Sequence, residues 1–173
     1  MQVAAALNGF HLLPGRFGPR PRSSAKLPFR QLEQFPPADI QERLLELSLN
    51  LPFIHTRQSR MASAQCRALC VSDTMAGGPP EAFIDGHEFC HIHPLPEGCI
   101  HLTLPGTVIE RVVALGWAER HPVHGLGLLK SLVMVYAPRN ADELDVVAKL
   151  IESSRLFATG SSTGTILAAR SVS

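Results

Sequence analysis

The chain has 173 residues, an apolar fraction of 45%, a charged fraction of 18% and a formal net charge of +1. That length suits one domain with a core large enough to stand without staples, and the composition is that of a globular chain rather than a disordered one. The near-zero charge excludes a broad footprint for nucleic acid or an anionic membrane surface.

Residues 1–36 carry Pro14, Gly15, Gly18, Pro19, Pro21, Pro28 and Pro36 and read as an irregular, extended arm. Its basic residues Arg16, Arg20, Arg22, Lys26 and Arg30 suggest a solvated tail, while Leu27, Phe29, Leu32 and Phe35 are available to dock it on the body. The start, MQVAAALNGFHLL, lacks the basic opening, long apolar core and cleavage site of a signal peptide. No run reaches the roughly 18 apolar residues needed to span a bilayer. A cytoplasmic protein with no membrane and no nucleic-acid partner is therefore expected.

From Ala38 to Leu49, Ile40, Leu44 and Leu47 recur at helical spacing, and Leu51 extends the stripe before Pro52 stops it. Residues 53–60 and 67–72 read as strands, and Gly77-Gly78-Pro79-Pro80 is a breaker. In EAFIDGHEFCHIHPLPEGCIHLTL (81–104) two successive β-hairpins are expected, one turning at Asp85-Gly86 and one through PLPEG. Thr107 with Glu110 resembles a capping box opening a helix that ends at Gly116. GWAERHPVHGLGL reads as a loop, SLVMVYAP as a buried strand, and Asn140 or Ala141 starts a last helix closed by Gly160. Hairpin-linked strands interleaved with helices predict an α+β fold: a two-layer sandwich with an antiparallel sheet of 4–6 strands and about three helices on one face. The organisation is an arm at 1–36, one domain at 37–160 and a flexible tail at 161–173.

Within 81–104, His91 and His93 are two apart and so share a strand face, and His101 follows on the next strand. Cys90, Ile92, Ile100, Leu102 and Leu104 make the other face apolar. Three imidazoles on one hairpin suit a divalent metal, for which His91, His93 and His101 are the candidates. They equally suit acid–base work near neutral pH, or a wet polar face with each ring bonded to neighbours. Asp85 or Glu88 is the carboxylate at hand, with Glu88 expected on the opposite face. The four cysteines lack zinc-ribbon spacing and read as buried free thiols. Cys90 and Cys99 are expected together on the Ile92/Ile100 face, where a cross-strand disulfide is geometrically possible.

Two later stretches add polar chemistry. Trp117, Glu119, Arg120 and His121 fall in one loop; Tyr136 ends the buried strand and Arg139 opens the last helix, where a hydroxyl and a guanidinium suit an enolate or carboxylate. Trp117 plugging the core edge and Arg139 serving its loop are the plainer readings.

HIHPLPEGCIHLTL, GWAERHPVHG and VYAPRNADELDVVAKLIESSRLFATG, taken in this order and spacing, resemble the family named for the fungal luciferase domain over roughly 78–160. That family includes the enzyme of glowing mushrooms and bacterial proteins of about this size. The resemblance implies oxygenation of an enolic α-pyrone such as 3-hydroxyhispidin, with O2 as co-substrate and no flavin or ATP. It also implies that His91, His93, His101, His121, Tyr136 and Arg139 line the site; the four histidines are the expected catalytic residues, and Trp117, Arg120, Tyr136 and Arg139 the expected substrate-binding ones. The expectation is thus an oxygenase or acid–base enzyme acting on a small enolic or aromatic compound. The alternative is a non-catalytic module that binds a small ligand or a divalent metal on the same histidine-lined face.

Overall fold

The computed structural model describes residues 12–63, 65–123 and 127–161. Its elements are α1 (Ala38–Leu49), β1 (Ile54–Gln58), β2 (Arg67–Val71), β3 (Glu88–Ile92), β4 (Ile100–Thr103), α2 (Gly106–Ala114), β5 (Ala118–Arg120), β6 (Leu132–Val135) and α3 (Ala141–Thr159). The six strands form one antiparallel sheet in the order β1-β2-β3-β4-β6-β5. One face bears the main core, in which Leu69, Phe89, Cys90, Ile92, Ile100, Leu102 and Val133 pack with Leu44 of α1, Val112 of α2 and Leu150 of α3. The expected two-layer α+β arrangement is therefore what forms. The tail expected at 161–173 lies outside the described residues apart from Ser161.

Local chemistry sets the helix ends. Asn140 caps α3, its Oδ1 accepting the Glu143 N–H at 3.0 Å. Gly160 closes that helix at φ +72°, a left-handed conformation that costs glycine nothing. The capping box expected at Thr107 does not form. Pro105 occupies the cap position without a side-chain bond, and Thr107 lies inside the helix.

Three differences from the sequence reading bear on the site. The first expected hairpin shrinks to an isolated bridge, Asp85 to Glu88. Upstream of it Pro80–Ala82 is a short 3-10 turn, because the Pro79-Pro80 pair supplies no N–H and cannot join a ladder. Second, GWAER is not all loop, since Ala118–Arg120 is the edge strand β5 paired to β6. Third, the basic arm is not a solvated tail over its described part. Gln31 is fully buried and its Oε1 accepts the Ala137 N–H at 2.9 Å, while Phe29 is 5% exposed. Arg16 stacks over Tyr136, and Trp117 Nε1 donates to the Pro14 carbonyl at 2.7 Å. Short-range pattern cannot show these bonds, whose partners lie about a hundred positions away in sequence.

The turn after β3 is clamped by α1. Buried Gln41 donates from Nε2 to the His93 carbonyl at 3.0 Å, and Gly98 (φ +62°) passes so close that a Cβ would lie 2.4 Å from Pro36 and 2.9 Å from Gln41 Oε1. Gly98→Ala should therefore cost about 1–3 kcal/mol for the left-handed backbone alone, with the crowding added. Urea unfolding at neutral pH measures it, and an unchanged midpoint would show that the clamp does not constrain the turn.

Candidate functional site

The site is built on the sheet face opposite the main core. His91 and His101 are direct cross-strand partners on β3 and β4, and His93 follows two residues after His91. His121 comes from the end of β5, its N–H donating to the Leu132 carbonyl at 3.2 Å. All four rings are buried, between 2% and 6% exposed. Ring centroids lie 5.6 Å apart for His91–His93, 4.9 Å for His91–His101, 4.6 Å for His93–His101 and 5.0 Å for His101–His121. Phe29 of the arm packs edge-on against His121 at 5.0 Å.

Hydrogen bonds place a hydrogen on two of the clustered rings. His91 Nδ1 is 2.8 Å from Glu88 Oε1, and His93 Nδ1 is 3.1 Å from Glu97 Oε2. Both acceptors are oxygens, so each of these rings carries a hydrogen on Nδ1, and in the neutral ring Nε2 is then a lone pair. The Nε2 atoms of His91, His93 and His101 are buried and have no partner among the described residues. Burial, followed by the neighbouring imidazoles His91, His93 and His121, holds His101 well below the usual histidine range. Burial also lowers His93, against the opposing pull of its bond to Glu97. His121 differs from the three: its Nδ1 accepts the Val123 N–H at 3.3 Å, which puts its hydrogen on Nε2.

Glu88 reaches His91 because of a β-bulge. Leu69 pairs with Cys90 but Cys70 pairs with Glu88, so Phe89 is an extra residue that resets the alternation. Phe89 and Cys90 both enter the core, and Glu88 emerges on the histidine face, not the opposite one. The carboxylate is fully buried, held by Ser59 Oγ at 2.9 Å and by Arg57 at 3.0 Å. Arg57 is in turn held by Asp85 at 3.1 Å. Removing one partner of such a buried ion pair costs about 3–5 kcal/mol. On the other side, Arg30 of the arm pairs with Glu97 at 3.1 Å.

Above the four rings lies a cavity of about 740 Å³, walled by Leu27 and Phe29 of the arm, Met61, Leu95, Val123 and Leu132 among others. Leu27, Met61 and Leu95 are exposed on its rim. The volume falls within the range of small-molecule pockets, and an apolar wall with a few convergent polar atoms is their usual construction.

The other four expected site residues do not line this cavity. Trp117 belongs to the main core, and Arg120 is exposed at the end of β5. Tyr136 lies under Arg16, its hydroxyl pushed up to about 12 by burial and by the charge of Glu119. Arg139 binds Glu143 and the Phe17 carbonyl. Trp117, Tyr136 and Arg139 pin the arm to the domain. Cys99, expected beside Cys90, instead packs with Phe29, Met134 and Tyr136, because it shares the parity of His101. The two thiols therefore lie in different clusters, and all four cysteines are free. Sequence reasoning missed Glu97, Phe29, Arg30 and Arg57. Of these only Glu97, four residues beyond His93, carried a local signal.

The model of the luciferase domain family matches residues 86–154, the stretch that contributes all four histidines. Over that stretch the chain is similar to the luciferase-domain family. It is 28% identical to a luciferase of Armillaria ostoyae over 90% of this chain and 64% of that protein. To a luciferase of Armillaria gallica it is 29% identical over 90% of this chain and 65% of that protein. A luciferase of Neonothopanus nambi is 32% identical over 46% of this chain and 31% of its own length. The chain thus spans a little under two thirds of the Armillaria proteins it matches. No solved structure matches it significantly. Among the described residues, no helix is long and apolar enough to cross a membrane.

The buried rings make stability pH-dependent with a definite sign. Below about 6.5 the unfolded chain takes up a proton at His101 that the folded state refuses. Stability should therefore fall as pH drops from 7 to 5, by up to about 1.4 kcal/mol per pH unit for each ring kept neutral. In His101→Gln that slope should lessen by one proton's share. Urea titrations at several pH values measure both, and an identical slope in the variant would contradict the assignment.

Proposed function

We propose that this protein is a luciferase-like oxygenase. In this reading it adds molecular oxygen to a small enolic or aromatic compound of α-pyrone type, without flavin or ATP, in the cavity over the histidine cluster. The observation that carries the reading is the convergence of three unpartnered, buried imidazole nitrogens on the floor of a largely apolar cavity of about 740 Å³. A flat ring would lie between Phe29, Leu95 and Leu132 with its enol directed at the histidines. The designation of the relatives as luciferases supports dioxygen as co-substrate.

The chemistry balances with these groups. The enol O–H gives its proton to an Nε2 lone pair. The enolate carbon forms a C–O bond to dioxygen; the substrate loses two electrons and dioxygen is reduced to the peroxide level. The proton returns to the outer peroxide oxygen, so the product is a ketone hydroperoxide containing every atom of enol and O2. His121, with its hydrogen on Nε2, suits the developing oxyanion. Closing the arm over the site keeps water from competing.

Oxygen consumption with 3-hydroxyhispidin, simpler α-pyrones and catechols tests this directly. Wild type should consume oxygen with at least one of them, and His91→Ala and His101→Ala should each lose about 100-fold or more, in the range of acid–base catalysis. If no compound of these classes supports uptake, the oxygenase reading fails. If the variants match wild type, the chemistry lies elsewhere on the protein.

A further inference from the structure

We infer that His91, His93 and His101 bind a single first-row divalent transition-metal ion through Nε2, with Glu88 and Glu97 orienting two of the rings. This goes beyond the oxygenase reading and stands without it, since it rests only on how the rings are held. With the ion in place, Lewis-acid activation of the enol oxygen replaces the Nε2 lone pair of that reading, and the enol proton leaves to solvent.

The first ground is energetic. Each buried acceptor left without a partner costs about 1–3 kcal/mol, and a native domain keeps only about 5–15 kcal/mol of net stability. Three such atoms side by side are therefore a large fraction of what the fold can spare, and one cation satisfies all three together. A wet polar face would scatter its lone pairs toward separate partners. Here one nitrogen of each ring lies within 4.8 Å of the others. Three nitrogens on one ion at about 2.1 Å sit a little over 3 Å apart, a contraction within reach of small ring rotations.

The second ground is the far side of two of the rings. A metal-ligating histidine characteristically donates its other N–H to a carboxylate or a backbone carbonyl, which sets the tautomer and raises the basicity of the ligating nitrogen. His91 has Glu88 and His93 has Glu97. Glu88 is brought round by the bulge and locked by Arg57 and Ser59; Glu97 is held by Arg30. Such precise support is more than a polar surface needs.

The donor set then selects the ion. Neutral imidazoles suit zinc, copper, nickel or iron(II) and disfavour magnesium and calcium, which take oxygen ligands. His121 stands outside the set because its Nδ1 is already an acceptor, which leaves a hydrogen on Nε2. The remaining coordination positions face the cavity, so an oxygen of a cavity ligand can complete the shell. A metal there acts as a Lewis acid that lowers the pKa of a bound enol or water.

Cobalt(II) titration of metal-stripped protein, without substrate, tests the site. Wild type should take up one equivalent with visible d–d bands and no thiolate charge-transfer band. His91→Ala and His101→Ala, checked for fold by circular dichroism, should lose stoichiometric uptake. Glu88→Gln and Glu97→Gln should bind about 10–100-fold more weakly, the usual effect of losing an outer partner. The inference is overturned if wild type takes up no stoichiometric cobalt, if thiolate bands appear, or if the folded alanine variants bind as wild type does. Should the alanine variants not fold, wild-type stoichiometry with the Glu97→Gln affinity decides it. Because no oxygen uptake is read, failure of the oxygenase reading would leave this result untouched.

Discussion

The contact on which the site depends is the one between Glu88 and His91. A fully buried carboxylate is tolerable only where its charge is answered; here Arg57 answers it at Oε2, and Ser59 and His91 bond Oε1. The same carboxylate accepts from His91 Nδ1, which leaves Nε2 of the neutral ring as the acceptor in the buried cluster. One extra residue in β3, Phe89, makes it possible. The bulge simultaneously sends a phenyl ring into the core and a carboxylate to the functional face, which couples the packing of the sheet to the chemistry above it.

The arm extends that coupling. Phe29 and Arg30 belong to a proline-rich stretch with little regular structure, yet Phe29 touches His101 and His121 and Arg30 holds Glu97. The residues that secure the arm, Trp117, Tyr136 and Arg139, are those whose chemistry first suggests substrate contact. In the fold they act at one remove, by keeping in place a segment that walls the cavity. α1 does the same for the turn carrying His93, through Gln41 and the close approach to Gly98.

Much of the fold was legible from short-range pattern. The stripe Ile40, Leu44, Leu47 marks α1, Asn140 and Gly160 mark the ends of α3, and a period of two puts His91, His93 and His101 on one face. Cys99 was legible by the same rule, since it shares the parity of His101. Glu88 was not: a count of two along the strand sends it to the opposite face, and only the pairing with β2 reveals the skipped residue. β5 was hidden because three residues ending in Glu and Arg carry no strand signal; β6 recruits them. Asp85-Gly86 between two apolar-alternating runs signals a first hairpin, which the two prolines upstream overrule.

By itself, then, the sequence determined most of the elements, the layer architecture, the common face of three histidines and the likeness to the luciferase-domain family, because these follow from periodicity and from contiguous motifs. Tertiary structure alone decided which carboxylates stand behind the rings, that their free nitrogens converge in a cavity, and that the arm is part of its wall. The physical reason is range. A strand's alternation is encoded between neighbours, whereas a bulge, a buried ion pair and a docked arm exist only when segments far apart in the chain compete for the same space.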